Sequence, residues 1–256
     1  MNMKRYFSSA FTLAEFELRK LRHDPSQILI RSIQPALWLL VFGEVFTRLR
    51  AIPTGQYTYL QFMTPGVLAQ SVMFVAIFYG INVVWERDTG LLNKLLSTPA
   101  PRSAIVMGKA LSAGVRGIFQ AIIVLILALI LGINLLLSPL SILGVFLIIV
   151  LHGMCFSGLS MTVVSIFRTR ERVMGIGQVI TMPLFFASNA IYPVSLMPAW
   201  LKAIVIINPL TYIVDAMRSL LVTGDLSHFP LDIAVICVTT AVLLTLASRG
   251  FNRIVS

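Results

Sequence analysis

The sequence predicts an all-α integral membrane protein with six transmembrane helices, and three observations carry that expectation. Of the 256 residues, 57% are hydrophobic and only 12% are charged, with a mean hydropathy of +0.90, which excludes an ordinary soluble globule. Apolar runs of spanning length, roughly 20 residues, recur near 29–48, 61–84, 112–133, 140–167, 173–192 and 231–248. Basic residues gather in alternate connections, as they do on the cytoplasmic side of a membrane.

Ahead of the first run, Phe7, Phe11, Ala14, Leu18 and Leu21 recur at helical spacing while Lys4, Arg5, Glu15, Arg19, Lys20 and Arg22 take other faces. Residues 4–23 are therefore expected as an amphipathic helix lying in the interface, stopped by Asp24-Pro25. Lys4 and Arg5 are followed by Glu15, Glu17, Arg19 and Lys20 before any uninterrupted apolar core, so no removable signal peptide is expected and the first span acts as its own signal.

Between the second and third runs lies WERDTGLLNKLLSTPAPRSAIVMGK, residues 85–109. Glu86, Arg87 and Asp88 leave the second span and Gly90 permits a sharp turn. Leu91, Leu92, Leu95 and Leu96 then form one apolar side of a short helix ended by Pro99 and Pro101. Such a helix suits a groove on a partner or a membrane surface.

The fifth run contains Pro183, Gly175 and Gly177, which loosen or bend it. Residues 193–224 are too apolar for a solvated loop and too broken by Pro193, Pro198 and Pro209 for one span, so short re-entrant helices are expected there. Asp215 and Arg218, three apart, read as a local ion pair. The whole chain, 1–256, is expected as a single transmembrane domain.

The N-terminal segment, the second and fourth connections with their flanks, and the tail hold sixteen of the twenty basic residues. Arg168, Arg170 and Arg172 form the fourth-connection group, and only Arg48, Arg50, Lys202 and Arg218 fall on the other side. Both termini should therefore be cytoplasmic, in the plasma or inner membrane. The net charge of +10 is dispersed over separate membrane-proximal segments, without the stacking aromatics of a nucleic-acid groove, so no nucleic-acid partner is expected.

No GxxxxGK[ST] loop is present, so the chain is not expected to bind ATP in the P-loop manner. His152, Ser157 and Ser160 share one helix, with His152 and Ser157 on nearly opposite faces, and no GxSxG elbow occurs, which disfavours a protease. Cys155 and Cys237 sit in different spans, and His23, His152 and His228 are far apart, so neither a disulfide nor a metal site is expected. Arg31, Arg116 and Glu44 fall near span ends, and the interior polar set of Gln34, Gln70, Asn82, Gln120 and Gln178 is uncharged. A chain with no midplane charge is expected to receive energy from outside the membrane. An ion-coupled secondary transporter using Glu44, Arg31 or His152 is the alternative.

The run WERDTGLLNKLLSTPAPRSAIVMGK, with NAIYPVSLMPAWLKAIVIINPLTYIVDAMRSLLVTG near the other end, resembles the permease subunits of type-2 ATP-binding-cassette exporters. The likeness extends over nearly the whole chain and looks closest to the daunorubicin-resistance and nodulation-factor export branch. The resemblance implies a permease without an ATPase site or cofactor of its own, paired with a second copy. Two copies of a separate ATPase would carry ATP and Mg. It also implies that the loop 85–101 holds the coupling helix, with Glu86, Arg87, Gly90, Leu91, Leu95 and Pro99 as coupling residues. Transport of an amphipathic, drug-like or lipid-like substrate would follow a pathway lined by the first, second and fifth spans. The corresponding residues are Gln34, Trp38, Phe42, Gln70, Phe74, Phe78, Gln178, Met182 and Phe185. Export of a lipid-linked polysaccharide or glycolipid is the alternative within the family. Few of the residues are aromatic, 10%, which tilts the expectation away from sugar-stacking channels.

Overall fold

The computed structural model describes residues 3–23, 26–49, 52–98, 100–167 and 169–255. Asp24-Pro25, Arg50, Pro99 and Arg168 lie outside the described residues. The described chain is helical throughout: α1 (Met3–His23), α2 (Ser26–Leu37), a π-helical stretch (Trp38–Gly43), α3 (Glu44–Leu49), α4 (Tyr59–Ile81), α5 (Val83–Asp88), α6 (Leu91–Leu96), α7 (Arg102–Ile130), α8 (Pro139–Ile166), α9 (Arg170–Phe186), α10 (Ala199–Ile207), α11 (Pro209–Arg218) and α12 (Phe229–Val255).

Helix starts follow from local chemistry. Thr58 caps α4 by accepting from the Gln61 amide while the Gln61 side chain accepts from the Thr58 amide, a reciprocal pair that satisfies two otherwise unpaired donors. Ser138 caps α8 ahead of Pro139, and Asn208 caps α11 ahead of Pro209; in both cases proline occupies the first helical position, where its missing N–H costs nothing.

Among the described residues, four helical stretches are long and apolar enough to cross a membrane: Tyr59–Asp88, Arg102–Ile130, Pro139–Ile166 and Phe229–Phe251. A fifth is obtained if Ala199–Ile207 and Pro209–Thr223, bent by 81° at their junction, count as one broken span. The bend agrees with the expectation of short helices before the last span. The expected first span falls on α2, the π stretch and α3, in three pieces with Pro35 inside. The expected fifth is the 17-residue α9, about 25 Å at helical rise and so shorter than a bilayer core of roughly 30 Å. The third and sixth predicted spans are longer than expected, because α7 begins at Arg102 and α12 runs on to Val255.

α8 sits at the centre, packed against α4, α7 and α12, while α1 lies along α7. The α7–α8 seam depends on two glycines: a Cβ at Gly153 would lie 2.5 Å from the Gly114 Cα. Small residues that let backbones approach this closely are the usual basis of helix association in membranes. The interior face of α4 is fully committed, with Met63, Val67, Leu68, Val72, Met73 and Ala76 all buried.

α1 buries the stripe Ala10, Ala14 and Glu17 and leaves Phe11 69% exposed. Its small-residue face packs on Gly108 of α7, where a side chain would meet the Ala10 carbonyl. His152 is wholly buried beside the Phe156 ring at 5.0 Å, and neither ring nitrogen has a hydrogen-bond partner among the described residues. Ser160 instead donates to the Ile77 carbonyl at 2.7 Å, so no His–Ser pair forms. Cys155 is buried and Cys237 exposed, both as free thiols.

The seam gives the first test. Gly153→Val should lower stability by about 1–3 kcal/mol through overpacking. Gly175→Ala, where nothing lies within 4 Å, should be neutral or raise stability by up to about 1 kcal/mol. Thermal unfolding of the detergent-solubilised protein measures both; equal effects would contradict the close seam.

Candidate functional site

The segment after α4 is held between two sets of charges. α4 ends at Asn82, and α5 carries Trp85, Glu86, Arg87 and Asp88 away from the bundle. On one side Glu86 turns inward: its Oε2 accepts from Lys109 Nζ of α7 at 2.5 Å. The same ammonium donates to Glu17 Oε1 of α1 at 3.2 Å. Lys109 and Glu17 side chains are each 2% exposed and Glu86 is 12% exposed. A buried lysine between two carboxylates is tolerable because each charge has an opposite neighbour, whereas an isolated buried ion would cost several kcal/mol.

The network extends one turn deeper. Arg116 donates from Nη2 to the Glu17 carbonyl at 2.7 Å and lies 4.5 Å from the Tyr79 ring centroid. Ser112 donates to the Tyr79 hydroxyl at 2.7 Å. Lys109, Ser112 and Arg116 recur at three- and four-residue steps, hence on one face of α7. Three elements distant in sequence, α1, α4–α5 and α7, are therefore tied by polar contacts in their own interior.

On the other side of α5, Asp88 accepts from Arg170 Nε of α9 at 2.7 Å and pairs with Arg87 at 3.0 Å. The Arg170 guanidinium also stands 5.5 Å from the Trp85 ring centroid. These groups are partly exposed, so the pairing orients α5 more than it stabilises the fold.

Gly90 then turns the chain in the left-handed region, at φ 73°, where glycine alone pays no steric cost. The six residues of α6 follow. Their leucines do not form one free face as expected: Leu92 is fully buried, while Leu91, Leu95 and Leu96 are half-buried. Burying Leu92 anchors α6 to the bundle and leaves Leu91 and Leu95 to face outward in part. Leu95 and Thr98 border a cleft of about 410 Å³ whose opposite wall is Ser9, Thr12 and Phe16 of α1. Pro99 lies outside the described residues.

The expected pathway residues separate. Trp38 stacks near Phe42 at 4.5 Å and meets Phe185 of α9 edge-on at 5.7 Å, so the first segment and α9 do come together through these rings. Phe74 and Phe78 stack at 6.2 Å on α4, and Arg31 of α2 lies over Phe78 at 5.0 Å. Gln34 and Gln178 are exposed and Met182 half-buried. Gln70 is 2% exposed with its amide nitrogen unpartnered among the described residues, and Phe185 is 1% exposed. These two side chains are internal in the single chain, because neighbouring helices close over them.

Glu17, Tyr79, Lys109, Ser112 and Arg116 were not anticipated as a group. Lys109 reads as a loop cation and Arg116 as a span-end cation in the sequence; in three dimensions both are buried against protein. The available signal was the spacing of Lys109 and Arg116, seven apart on one helix face, and of Glu17 in register with Ala10 and Ala14.

Removing one member tests the triad. Lys109→Ala should cost about 3–5 kcal/mol, since two carboxylates are left facing each other in the interior. The triple change Glu17→Gln, Lys109→Met and Glu86→Gln should recover most of that loss in chemical or thermal unfolding; failure to recover would show that the charges do not act as a unit.

Residues 9–222 match the family described as ABC-2 type transporter. The chain is 29% identical over 220 residues to a putative transport permease, ycf38, of Cyanophora paradoxa, covering 84% of this chain and 74% of that protein. It is 28% identical over 200 residues to the daunorubicin resistance ABC transporter permease protein DrrB1 of Streptomyces coeruleorubidus, covering 78% and 70%. With nodulation protein J of Rhizobium meliloti it shares 25% identity over 198 residues, covering 77% and 74%. The apolar helices and the match over most of its length agree: the chain belongs to the ABC-2 type transporter family, as a multi-pass membrane permease.

Proposed function

We propose that this permease is the membrane subunit of an ATP-driven exporter, worked by a separate ATPase through the α5–α6 segment. The observation that carries this reading is the double bracing of α5, to α1 and α7 through Lys109 and to α9 through Arg170. A push on α6 is then delivered to the interfacial helix and to α9 together, because the joints are buried or multiply bonded rather than hinged. Leu91 and Leu95, with Gly90 and Arg87, form the contact surface for the ATPase; Glu86 acts from behind as a brace.

In this reading ATP and Mg bind the ATPase, two copies of it serve two permease copies, and the termini lie in the cytoplasm of a plasma or inner membrane. The first and fifth predicted segments complete six spans in the assembly, where a second copy covers the exposed faces of α2 and α9. Trp38, Phe42 and Phe185 line or support the pathway at that junction. The substrate class is an amphipathic drug-like or lipid-like compound, moved outward by alternating access. The aromatic and methionine side chains near the junction suit such a cargo, and the daunorubicin-resistance relative supports it.

Two experiments separate contact from brace. Leu91→Asp should leave the permease folded but reduce co-purification with the ATPase and ATP-dependent efflux at least about tenfold, as expected for a desolvated hot-spot contact. Unchanged efflux would sink the docking assignment. Asp88→Arg or Arg170→Asp alone should impair efflux while leaving stability little changed, because an exposed ion pair contributes little to folding, and the charge-swapped double variant should restore it. Persistent loss in the double variant would mean that the α5–α9 pairing does not transmit force.

A further inference from the structure

A second polar centre lies at the end of the bundle opposite α5 and α6. There, the start of α4 is tied to the 131–138 connection by Gln61 Nε2 donating to the Asn134 carbonyl at 2.9 Å. That connection is tied to the turn after α11 by the Leu136 amide donating to the Leu221 carbonyl at 2.7 Å. Between this turn and the first turn of α12 opens a cavity of about 420 Å³, within the usual range for organic ligands.

The walls are chemically lopsided. Asp215, Asp225 and Asp232 border the cavity, together with Arg218, Tyr212 and Leu231. Arg218 is committed through its two terminal nitrogens, while its Nε has no partner among the described residues. It pairs with Asp215 Oδ1 at 3.0 Å, donates to the Asn189 carbonyl at 2.7 Å and covers the Phe62 ring at 4.0 Å. Asp215 Oδ1 also accepts from Asn189 Nδ2, and the Asp215 side chain stays 42% exposed. Neither Asp225 nor Asp232 has an ion-pair partner among the described residues. Asp225 is exposed and shapes the loop by accepting from the Ser227 amide at 2.9 Å.

Asp232 is the anomaly. It is 3% exposed, borders the cavity, and its Oδ2 has no hydrogen-bond partner among the described residues. A buried carboxylate oxygen without a donor costs several kcal/mol in an apolar setting, and such groups call for an explanation. His228 also borders the cavity and is close enough to act on Asp225 and Asp232; with Arg218 balancing Asp215, two carboxylates remain against that single imidazole, and the wall accepts positive charge. A metal ion fits poorly, because among the described residues no three His, Cys, Asp or Glu side chains are grouped to hold one. An ammonium group on an apolar stem fits both halves of the wall. Its N–H groups meet carboxylates, and its stem meets Tyr212 and Leu231, the latter 57% exposed.

We propose that this cavity is a binding site for a primary alkylammonium group, with Asp232 as its principal acceptor and Asp225 as a second. The ligand is either the cationic end of an amphipathic cargo or the amine of a lipid headgroup; its role in transport rests on the exporter reading, its existence does not.

The test uses the full chain in phosphatidylcholine nanodiscs and the fluorescent primary amine dansylcadaverine. Saturable binding is expected, weakened about tenfold or more by Asp232→Asn, as for loss of a charge-assisted hydrogen bond. Asp225→Asn, on an exposed loop, should weaken it less, and N-acetyl-dansylcadaverine should not compete. Asp232→Glu should retain binding and, with the size-exclusion profile, separate misfolding from loss of the site. Competition by phosphatidylethanolamine in the disc supports the site and assigns the ligand to lipid; no competition supports it and assigns the ligand to cargo. Equal binding of amine and acetylated amine, indifference to both asparagine variants, or displacement by micromolar calcium would overturn it. ATP-driven efflux in vesicles is scored separately: amine binding without efflux would sink the exporter reading alone, and efflux without amine binding would sink only this site.

Discussion

The buried Glu17–Lys109–Glu86 triad is the constraint on which the α1, α5 and α7 end of the bundle depends. It joins the helix before the first span, the start of α7 and the continuation of α4, three elements separated by up to 92 residues in sequence. Hydrophobic contact alone would let α1 slide along α7, since dispersion has no preferred register. Charges in a low-dielectric interior do have one: a shift of a few ångströms leaves an ion unpaired at a cost of several kcal/mol. The triad therefore specifies position, and the close approach of α1 at Gly108 follows from that register.

At the opposite end, polar side chains again do what apolar packing cannot. Asn208 caps α11 while its amide nitrogen donates to the Leu184 and Ala187 carbonyls, at 2.7 and 2.6 Å. These are carbonyls left open where α9 ends, and the same residue thus closes one helix and begins another. Tyr212 repeats the device at the end of α10 by donating to the Ile206 carbonyl at 2.7 Å. An 81° bend between α10 and α11 is sustainable only because these groups are satisfied by protein. The two ends differ in purpose. The α5 end is held by mutual ion pairing and braced, whereas the α12 end retains Asp225 and Asp232 without an ion pair among the described residues, around a cavity.

Between them the bundle is close-packed and largely apolar, with α8 at its centre. Exposed large hydrophobics on α2, α7, α8, α9 and α12 show that much of the outer surface suits lipid or another protein rather than water. Gln70 and His152 are enclosed in this interior.

Composition and apolar run length were enough to give the membrane class, because hydrophobic transfer depends on residue type and run length alone. Capping is local, so Ser138 ahead of Pro139 and Asn208 ahead of Pro209 start their helices without tertiary help. The same logic placed the leucines of α6 on one face but could not say that Leu92 would be buried by its own bundle while Leu91 and Leu95 stayed half-buried. Lys109 looked like a loop cation, and only the convergence of α1, α5 and α7 turned it into the centre of a buried triad. Asp232, in the first turn of α12, drew no notice in the sequence; the fold sets it at one cavity with Asp215 and Asp225. Local sequence determined which segments became helical and apolar; tertiary structure alone decided which charges found partners, because pairing depends on distances between residues that the chain places far apart.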